Sequence, residues 1–290
     1  MPSFHHADFP ADRLRAQRTE SISVCVPARE EAATIAGVVA PLVHLRESGV
    51  IDQVLVLDDD SRDATGTIAR RLGADVVRPA ELLPEFGPVL GKGDAMWRAL
   101  SVLTGELVAF VDADSEDFGA HFACGLLGPL ICAPGVQFVK GFYRRPFKNG
   151  SADVQPTGGG RVTELTARPL LAAFHPELAD VRQPLAGEIA ARRGLLDRMP
   201  FCTGYAVEIG LLLDVCAASG AGIDALAQVD LDSRQNRHRP LAELAPMAEA
   251  VLATVTSRLQ RAGRLVDAGA LERPLERPPL AELRALRAAG

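Results

Sequence analysis

The stretch Glu106-Leu107-Val108-Ala109-Phe110-Val111-Asp112-Ala113-Asp114 most restricts what this chain can become. Its apolar residues are continuous rather than alternating, which reads as a strand buried on both faces. Such strands belong to sheets covered by helices on both sides, where ligands collect at the carboxyl ends of the strands. Asp112 and Asp114 stand at such an end. Two carboxylates held there are hard oxygen ligands, suited to Mg²⁺ or Mn²⁺ bound together with a diphosphate. A lone D-x-D is equally readable as a solvated acidic loop, so its neighbours must decide.

The preceding sequence repeats the strand-then-acid pattern. Ser21 to Pro27 is an apolar strand ended by proline. Ala28 to Ile35 then turns into a helix expected to run to about His44, with Glu30 and Glu31 in its first turn where acids favour the dipole. Val54 to Leu57 leads into Asp58-Asp59-Asp60-Ser61, followed by a helix to Leu72 with Ser61 or Asp63 as N-cap. Ala74 to Val77 is a short third strand. This alternation predicts an α/β fold with a doubly wound, mostly parallel sheet. At 290 residues and 48% hydrophobic content the chain can bury a substantial core, as one large domain or two small ones.

Several loops carry anion-binding chemistry. Gly91-Lys92-Gly93 precedes a helix expected over Asp94 to Leu103. A glycine-flanked lysine at a helix start suits an anion near backbone N–H groups, although the P-loop spacing is absent and Lys92 alone reads as readily as a surface lysine. Val136 to Tyr143 is a strand, and Asn149 to Gly160 a polar, glycine-rich loop expected to be mobile. That loop ends Gly158-Gly159-Gly160-Arg161-Val162-Thr163 before a helix. Glycines allow close approach to an oxyanion and Arg161 offers a bidentate donor; the alternative is a flexible linker with an exposed arginine, but Arg161 and Thr163 at the helix start favour the anion reading. Gln183 to Glu188 is a turn before a helix expected over Ile189 to Asp197. Glu208 lies in the apolar segment Gly204 to Gly210 as a helix-surface acid or a pocket carboxylate, the former being commoner.

Towards the end, Ala225 to Leu231 is a strand. Arg234, Arg237, His238 and Arg239 follow, usually a solvated basic face but able to pair with phosphates beside a nucleotide site. Pro240 to Ala262 has a helical pattern. Residues 1 to 20 read as a flexible leader or a short leading helix, and Arg264 to Gly290 as a tail that could pack on a second subunit. Net charge is −6, which argues against a nucleic-acid partner. Cys25, Cys124, Cys132, Cys202 and Cys216 lack C-x-x-C spacing, suggesting reduced thiols. No opening signal peptide and no apolar run of membrane-spanning length is read, so a soluble, cytoplasmic protein without a membrane partner is expected.

Taken in order, Val26 to Glu31, Val56 to Ser61, Gly91 to Asp94, Val111 to Asp114, Gly158 to Leu165, Gly204 to Gly210 and Asn236 to Leu241 resemble one family. The chain is similar, over roughly residues 21 to 250, to glucosyl-3-phosphoglycerate synthases of the actinobacterial type. These are retaining glycosyltransferases with the A-type, Rossmann-like nucleotide-sugar fold. The resemblance implies a donor-binding half over 21–135, a smaller acceptor-binding and metal-completing half over 136–262, and a tail over 263–290 that could reach a dimer contact. Pro27, Ala28, Arg29 and Glu31 match the segment holding uridine and ribose, and Asp59 the contact to the uracil edge. Lys92 matches the donor-side lysine, and Asp112, Ala113 and Asp114 the D-x-D, with Asp114 the direct metal ligand. Gly160, Arg161 and Thr163 match the cradle for the phosphate of 3-phosphoglycerate. The Leu185 carbonyl falls where the family holds the acceptor hydroxyl and the developing sugar cation, and Tyr205 and Glu208 line that pocket. Arg234 and His238 are placed with the substrate phosphates.

One departure bears on the metal. The family reads His-Arg-Asn-Arg-Pro, its histidine a metal ligand, where this chain has Asn236-Arg237-His238-Arg239-Pro240. Asn236 could ligate through its carbonyl oxygen, His238 could take the role after a loop shift, or Asp114, diphosphate and water could suffice. An altered metal preference is expected. The implied reaction moves glucose from UDP-glucose to the 2-hydroxyl of 3-phosphoglycerate in a homodimer using Mg²⁺ or Mn²⁺. Same-face attack accounts for retention, with Glu208 the one carboxylate worth testing as nucleophile or base. The rival readings are mannosyl transfer from GDP-mannose, a catalytically weak nucleotide-sugar binder, and an interaction module on the same fold.

Overall fold

The computed structural model describes residues 1–149, 153–155, 160–218, 222–235, 240–266 and 273–289. Twelve strands occur among them: β1 (Ser3–His5), β2 (Ile22–Ala28), β3 (Gln53–Asp58), β4 (Asp75–Val77), β5 (Leu107–Phe110), β6 (Phe138–Arg144), β7 (Phe147–Asn149), β8 (Asp153–Gln155), β9 (Ile189–Arg192), β10 (Phe201–Cys202), β11 (Leu226–Ser233) and β12 (Glu276–Arg277). The helices are α1 (Ala11–Gln17), α2 (Ile35–Glu47), α3 (Thr65–Arg71), α4 (Lys92–Ala99), α5 (Ala120–Cys132), α6 (Arg168–Phe174), α7 (Arg193–Leu196), α8 (Val207–Ala218), α9 (Leu241–Arg261) and α10 (Leu280–Ala289).

Eight strands form one sheet in the order β1-β11-β6-β9-β5-β2-β3-β4. Every pairing in it is parallel except those of β9, which runs antiparallel to both β5 and β6. Along β5, Leu107, Ala109 and Val111 pack into one apolar layer, with α2 and α5. Val108 and Phe110 pack into the other, with α4, α8 and α9. The continuous apolar run is thus a strand covered on both faces, as its pattern required.

Several elements depart from the sequence reading. Ile189 to Asp197 is not one helix but strand β9 followed by the single turn α7. Its alanines and leucines have high helix propensity, but a slot between β5 and β6 overrides that local preference. The helix after β2 begins at Ile35, because Glu30 takes a positive φ of 57° and the segment before it loops out. That loop is stitched to the loop after β3: Glu30 N–H donates to Ser61 Oγ at 3.0 Å, Arg62 N–H to Glu30 Oε1 at 2.8 Å and Ala32 N–H to Asp63 Oδ2 at 3.0 Å. Asp63 also accepts from Thr65 N–H at 2.9 Å at the start of α3. Helix α5 has no counterpart in the sequence reading. Of the two readings of the first twenty residues, the short helix is present as α1, preceded by an edge strand that the sequence reading lacked. His5 and His6 both face Asp232 at the end of β11, at 3.5 and 2.7 Å. Within the expected loop of 149–160, β8 pairs antiparallel with β7, which leads into the loop.

The C-terminal segment packs on its own chain. Leu280 is buried, β12 pairs with β10, and Trp97 Nε1 donates to Pro278 O at 2.9 Å. Arg277 pairs with the buried Asp94 of α4 at 2.8 Å, beside Arg98 at 3.2 Å. All five cysteines are free thiols. Among the described residues no helix is long and apolar enough to cross a membrane.

Candidate active site

Parallel strands deliver their following loops to one edge of the sheet, and β9, running the other way, delivers its preceding loop there too. The result is a cavity of about 470 Å³. Asp112, Ala113 and Asp114 reach it from the end of β5, and Pro27, Ala28, Arg29 and Glu31 from the end of β2. Asp59 enters after β3, with Arg29 Nη1 3.4 Å from its Oδ2. Lys92 enters at the N-terminus of α4, Leu185 from the loop before β9, and Tyr205 and Glu208 around the start of α8. Gly160, Arg161 and Thr163 complete the wall at a π-helical turn over Thr163–Ala167 that leads into α6. π turns recur at functional sites. Arg234 closes the floor, and Leu244, Met247 and Val251 of α9 supply an apolar side. The D-x-D and the glycine–arginine bend therefore face one space. Of the residues expected here, Asn236 and His238 lie outside the described residues.

The floor is a network of alternating charges. Lys92 Nζ donates to Asp112 Oδ1 at 2.5 Å and to Glu208 Oε1 at 2.7 Å. Arg234 Nη1 donates to Asp112 Oδ2 at 2.9 Å and to the Tyr143 hydroxyl at 2.8 Å, and lies 2.7 Å from Glu188 Oε1. Its Nη2 pairs with Asp114 Oδ1. The Tyr143 hydroxyl donates onward to Glu188 Oε2 at 2.8 Å. Burial opposes charge on Lys92, but Asp112 and Glu208 outweigh it and hold the ammonium above the usual lysine range. Burial likewise opposes charge on Asp112, and Lys92 and Arg234 override it to hold that carboxyl below the usual range. Glu188 goes the other way: its burial, against the pull of Arg234, raises its pKa.

The structure decides three alternatives that the residues alone left open, each in favour of the cavity. Arg234 is not part of a solvated basic face: it is 2% exposed, because four acidic or phenolic groups surround it. Glu208, 6% exposed, is the pocket carboxylate rather than a helix-surface acid. Lys92 is a network cation rather than a surface lysine. Tyr143, Glu188 and Gly187 carry no sequence signal that marks them as site residues. A Cβ on Gly187 would run into the Asp112 carboxylate and Lys92 Nζ, so any larger residue there requires that pair to shift.

The donor chemistry fits a divalent cation at one point. Asp112 has both oxygens committed to Lys92 and Arg234, whereas the Asp114 side chain is 36% exposed at the cavity wall. A hard carboxylate there suits Mg²⁺ or Mn²⁺ shared with diphosphate oxygens. Among the described residues, His5, His6 and Asp232 also group metal-ligating side chains, but none of them lines the cavity. His5 Nδ1 there accepts from Ala7 N–H at 3.2 Å, and its Nε2 lies 3.5 Å from Asp232.

Comparison with known proteins agrees with this geometry. The family model for glycosyl transferase family 2 matches residues 23–157. A glucosyl-3-phosphoglycerate synthase of Mycolicibacterium smegmatis is 48% identical over 257 residues, covering 89% of this chain and 82% of that protein. The crystal structure of glucosyl-3-phosphoglycerate synthase from Mycobacterium tuberculosis, in complex with Mn²⁺, UDP-glucose and phosphoglyceric acid, superposes with a TM-score of 0.85 at 41% identity. It covers 98% of this chain and 99% of that one. The structure of mannosyl-3-phosphoglycerate synthase from Rubrobacter xylanophilus gives a TM-score of 0.87 at 42% identity, covering 97% of both chains. With nearly half of its residues shared along most of its length, and the acidic pair and the anion cradle opening on one cavity, the chain belongs to the glucosyl-3-phosphoglycerate synthase family.

Proposed function

We propose that the protein transfers glucose, with retention, from UDP-glucose to the 2-hydroxyl of 3-phosphoglycerate. The observation that carries this reading is the shared cavity. The acidic strand end, Lys92, Gly160, Arg161 and Thr163 all line it. One cavity can then hold a nucleotide diphosphate and a phosphorylated acid with their reacting atoms together.

Pro27, Ala28, Arg29, Glu31 and Asp59 hold the uridine, Asp59 accepting from the ring N–H. Asp114 holds the metal, either Mg²⁺ or Mn²⁺. When bound, that ion offsets the negative charge building on the departing diphosphate. Lys92 and Arg234 supply fixed positive charge beside it, and preorganised electrostatics of this kind commonly contribute more to catalysis than any other effect. Arg161 and Thr163 orient the acceptor phosphate. Glu208 already pairs with Lys92, so it acts as that lysine's counter-ion rather than as a free nucleophile. Retention then follows from same-face attack, the acceptor proton passing to the diphosphate oxygen, with the Leu185 carbonyl near the sugar cation. In this reading residues 21–135 are the donor half and 136–262 the acceptor half, and the enzyme works in the cytoplasm as a homodimer.

The experiment is UDP release from UDP-glucose, 3-phosphoglycerate and Mg²⁺, with and without a chelator. Release that needs both the acid and the metal supports the reading. Release with another acceptor but none with 3-phosphoglycerate overturns it. The similarity to a mannosyl-3-phosphoglycerate synthase favours one second reading, GDP-mannose as donor. A donor panel run at equal concentration separates the two.

A further inference from the structure

Lys140 occupies the middle of β6, where it is 2% exposed among Phe138, Val139, Gly141 and Phe142. A lysine is seldom buried so completely unless something requires its ammonium. Lys140 Nζ makes one hydrogen bond among the described residues, donated to the Ala186 carbonyl at 2.5 Å. Ala186 belongs to the loop 183–188, which carries Leu185 to the cavity wall and Gly187 against the Asp112–Lys92 pair.

That loop is tied to β6 at both ends. Gln183 Nε2 donates to Tyr143 O at 2.5 Å, and Gly141 N–H donates to Glu188 O at 2.9 Å. Between these ties the loop turns on itself, with Ala186 N–H donating to Gln183 O at 3.1 Å. The Lys140 side chain supports its centre from the sheet. The surrounding charges are Glu208, Lys92, Glu188 and Asp112. Burial is the largest influence on the ammonium and pulls its pKa down to about 8.

We propose that Lys140 is a positioning residue for sugar transfer: its ammonium holds the Ala186 carbonyl and so sets where Leu185 and Gly187 face the reacting centre. The inference rests on the transfer reaction proposed above. Lys140 does not line the cavity, so it touches neither substrate. It acts through the loop, and a displacement on the order of 1 Å there costs about 10²-fold in rate.

The test compares Lys140→Met, which keeps length and apolar bulk, with Lys140→Arg, which keeps charge and donors. Turnover, the KM for both substrates, UDP affinity by calorimetry and amide hydrogen exchange over 183–188 are measured on each full chain. In Lys140→Met the expected kcat is at least about tenfold lower. UDP affinity stays within about threefold and exchange at Ala186 and Gly187 is faster, with Lys140→Arg intermediate. Wild-type turnover in the Met variant, or unchanged exchange, overturns the inference. So does an equal loss of UDP binding in both variants, which marks general damage. If the wild type transfers no sugar, the reaction reading fails by itself, and the exchange measurement still tests the support of the loop.

Discussion

At the scale of single residues, the site is a set of charges that are tolerable only together. Lys92 and Glu208 are 116 positions apart, and each is unremarkable alone: a lysine before a helix, an acid at the start of one. Their pairing depends on α4 and α8 meeting, which no local pattern encodes. Arg234 was placed at the site only through the family resemblance, since an arginine-rich run looks solvated until the fold buries one member. The acidic pair was legible because a strand pattern and a change of chemistry coincide there. As a counter-ion, Glu208 in the form Glu208→Gln lowers kcat by about tenfold; a loss beyond about 10⁴-fold in the same assay would make it the nucleophile instead. Lys140 gives a pH-dependent outcome. Its pKa falls from 10.5 in the unfolded chain to about 8 when folded. Between those values the unfolded chain binds the extra proton, so stability rises with pH across that window and the cost of burying the charge is fully felt below it. The unfolding free energy of the wild type relative to Lys140→Met should therefore grow by about 3 kcal/mol from pH 7 to pH 10.5, read by denaturant titration. A flat difference would refute it.

At the scale of elements, strands β2, β3 and β5 were readable because each is a buried run ending in acids or proline. β9 was not, because Ile-Ala-Ala-Arg followed by Arg-Gly-Leu-Leu has helical propensity and its strand form is imposed by neighbours on both sides. The cavity lining was half legible: Gly160, Arg161 and Thr163 were singled out from the sequence and line it, whereas Gly187 was not, because its constraint comes from Asp112 and Lys92, distant in sequence. Gly187→Ala forces that pair apart. The expected outcome is a loss of transfer of at least about tenfold with destabilisation of about 1–3 kcal/mol, checked by steady-state kinetics and thermal unfolding. Wild-type kinetics in this variant would show that the pair can shift freely.

At the scale of the whole molecule, the C-terminal segment ties the donor side together. Asp94 is fully buried in α4, two residues from Lys92, and is shared by Arg98 and Arg277. Arg277→Ala leaves Asp94 with the Arg98 guanidinium and the Leu90 N–H. It should lower stability by about 3–5 kcal/mol, as breaking buried ion pairs does, and weaken UDP-glucose binding through α4. Calorimetric unfolding and a binding isotherm check the two effects separately. The tail's leucine, glutamate and arginine content suggested a helix but gave no hint that Arg277 would be drawn to a buried acid.

The lone reversed strand has one further consequence. Side chains of β9 alternate between layers, Ile189 and Ala191 to one and Ala190 to the other. A slip of β9 by one residue against β5 and β6 would send each of these to the opposite layer. The bend over 183–188, held to β6 at Gln183 and Glu188, must therefore deliver β9 in one register only.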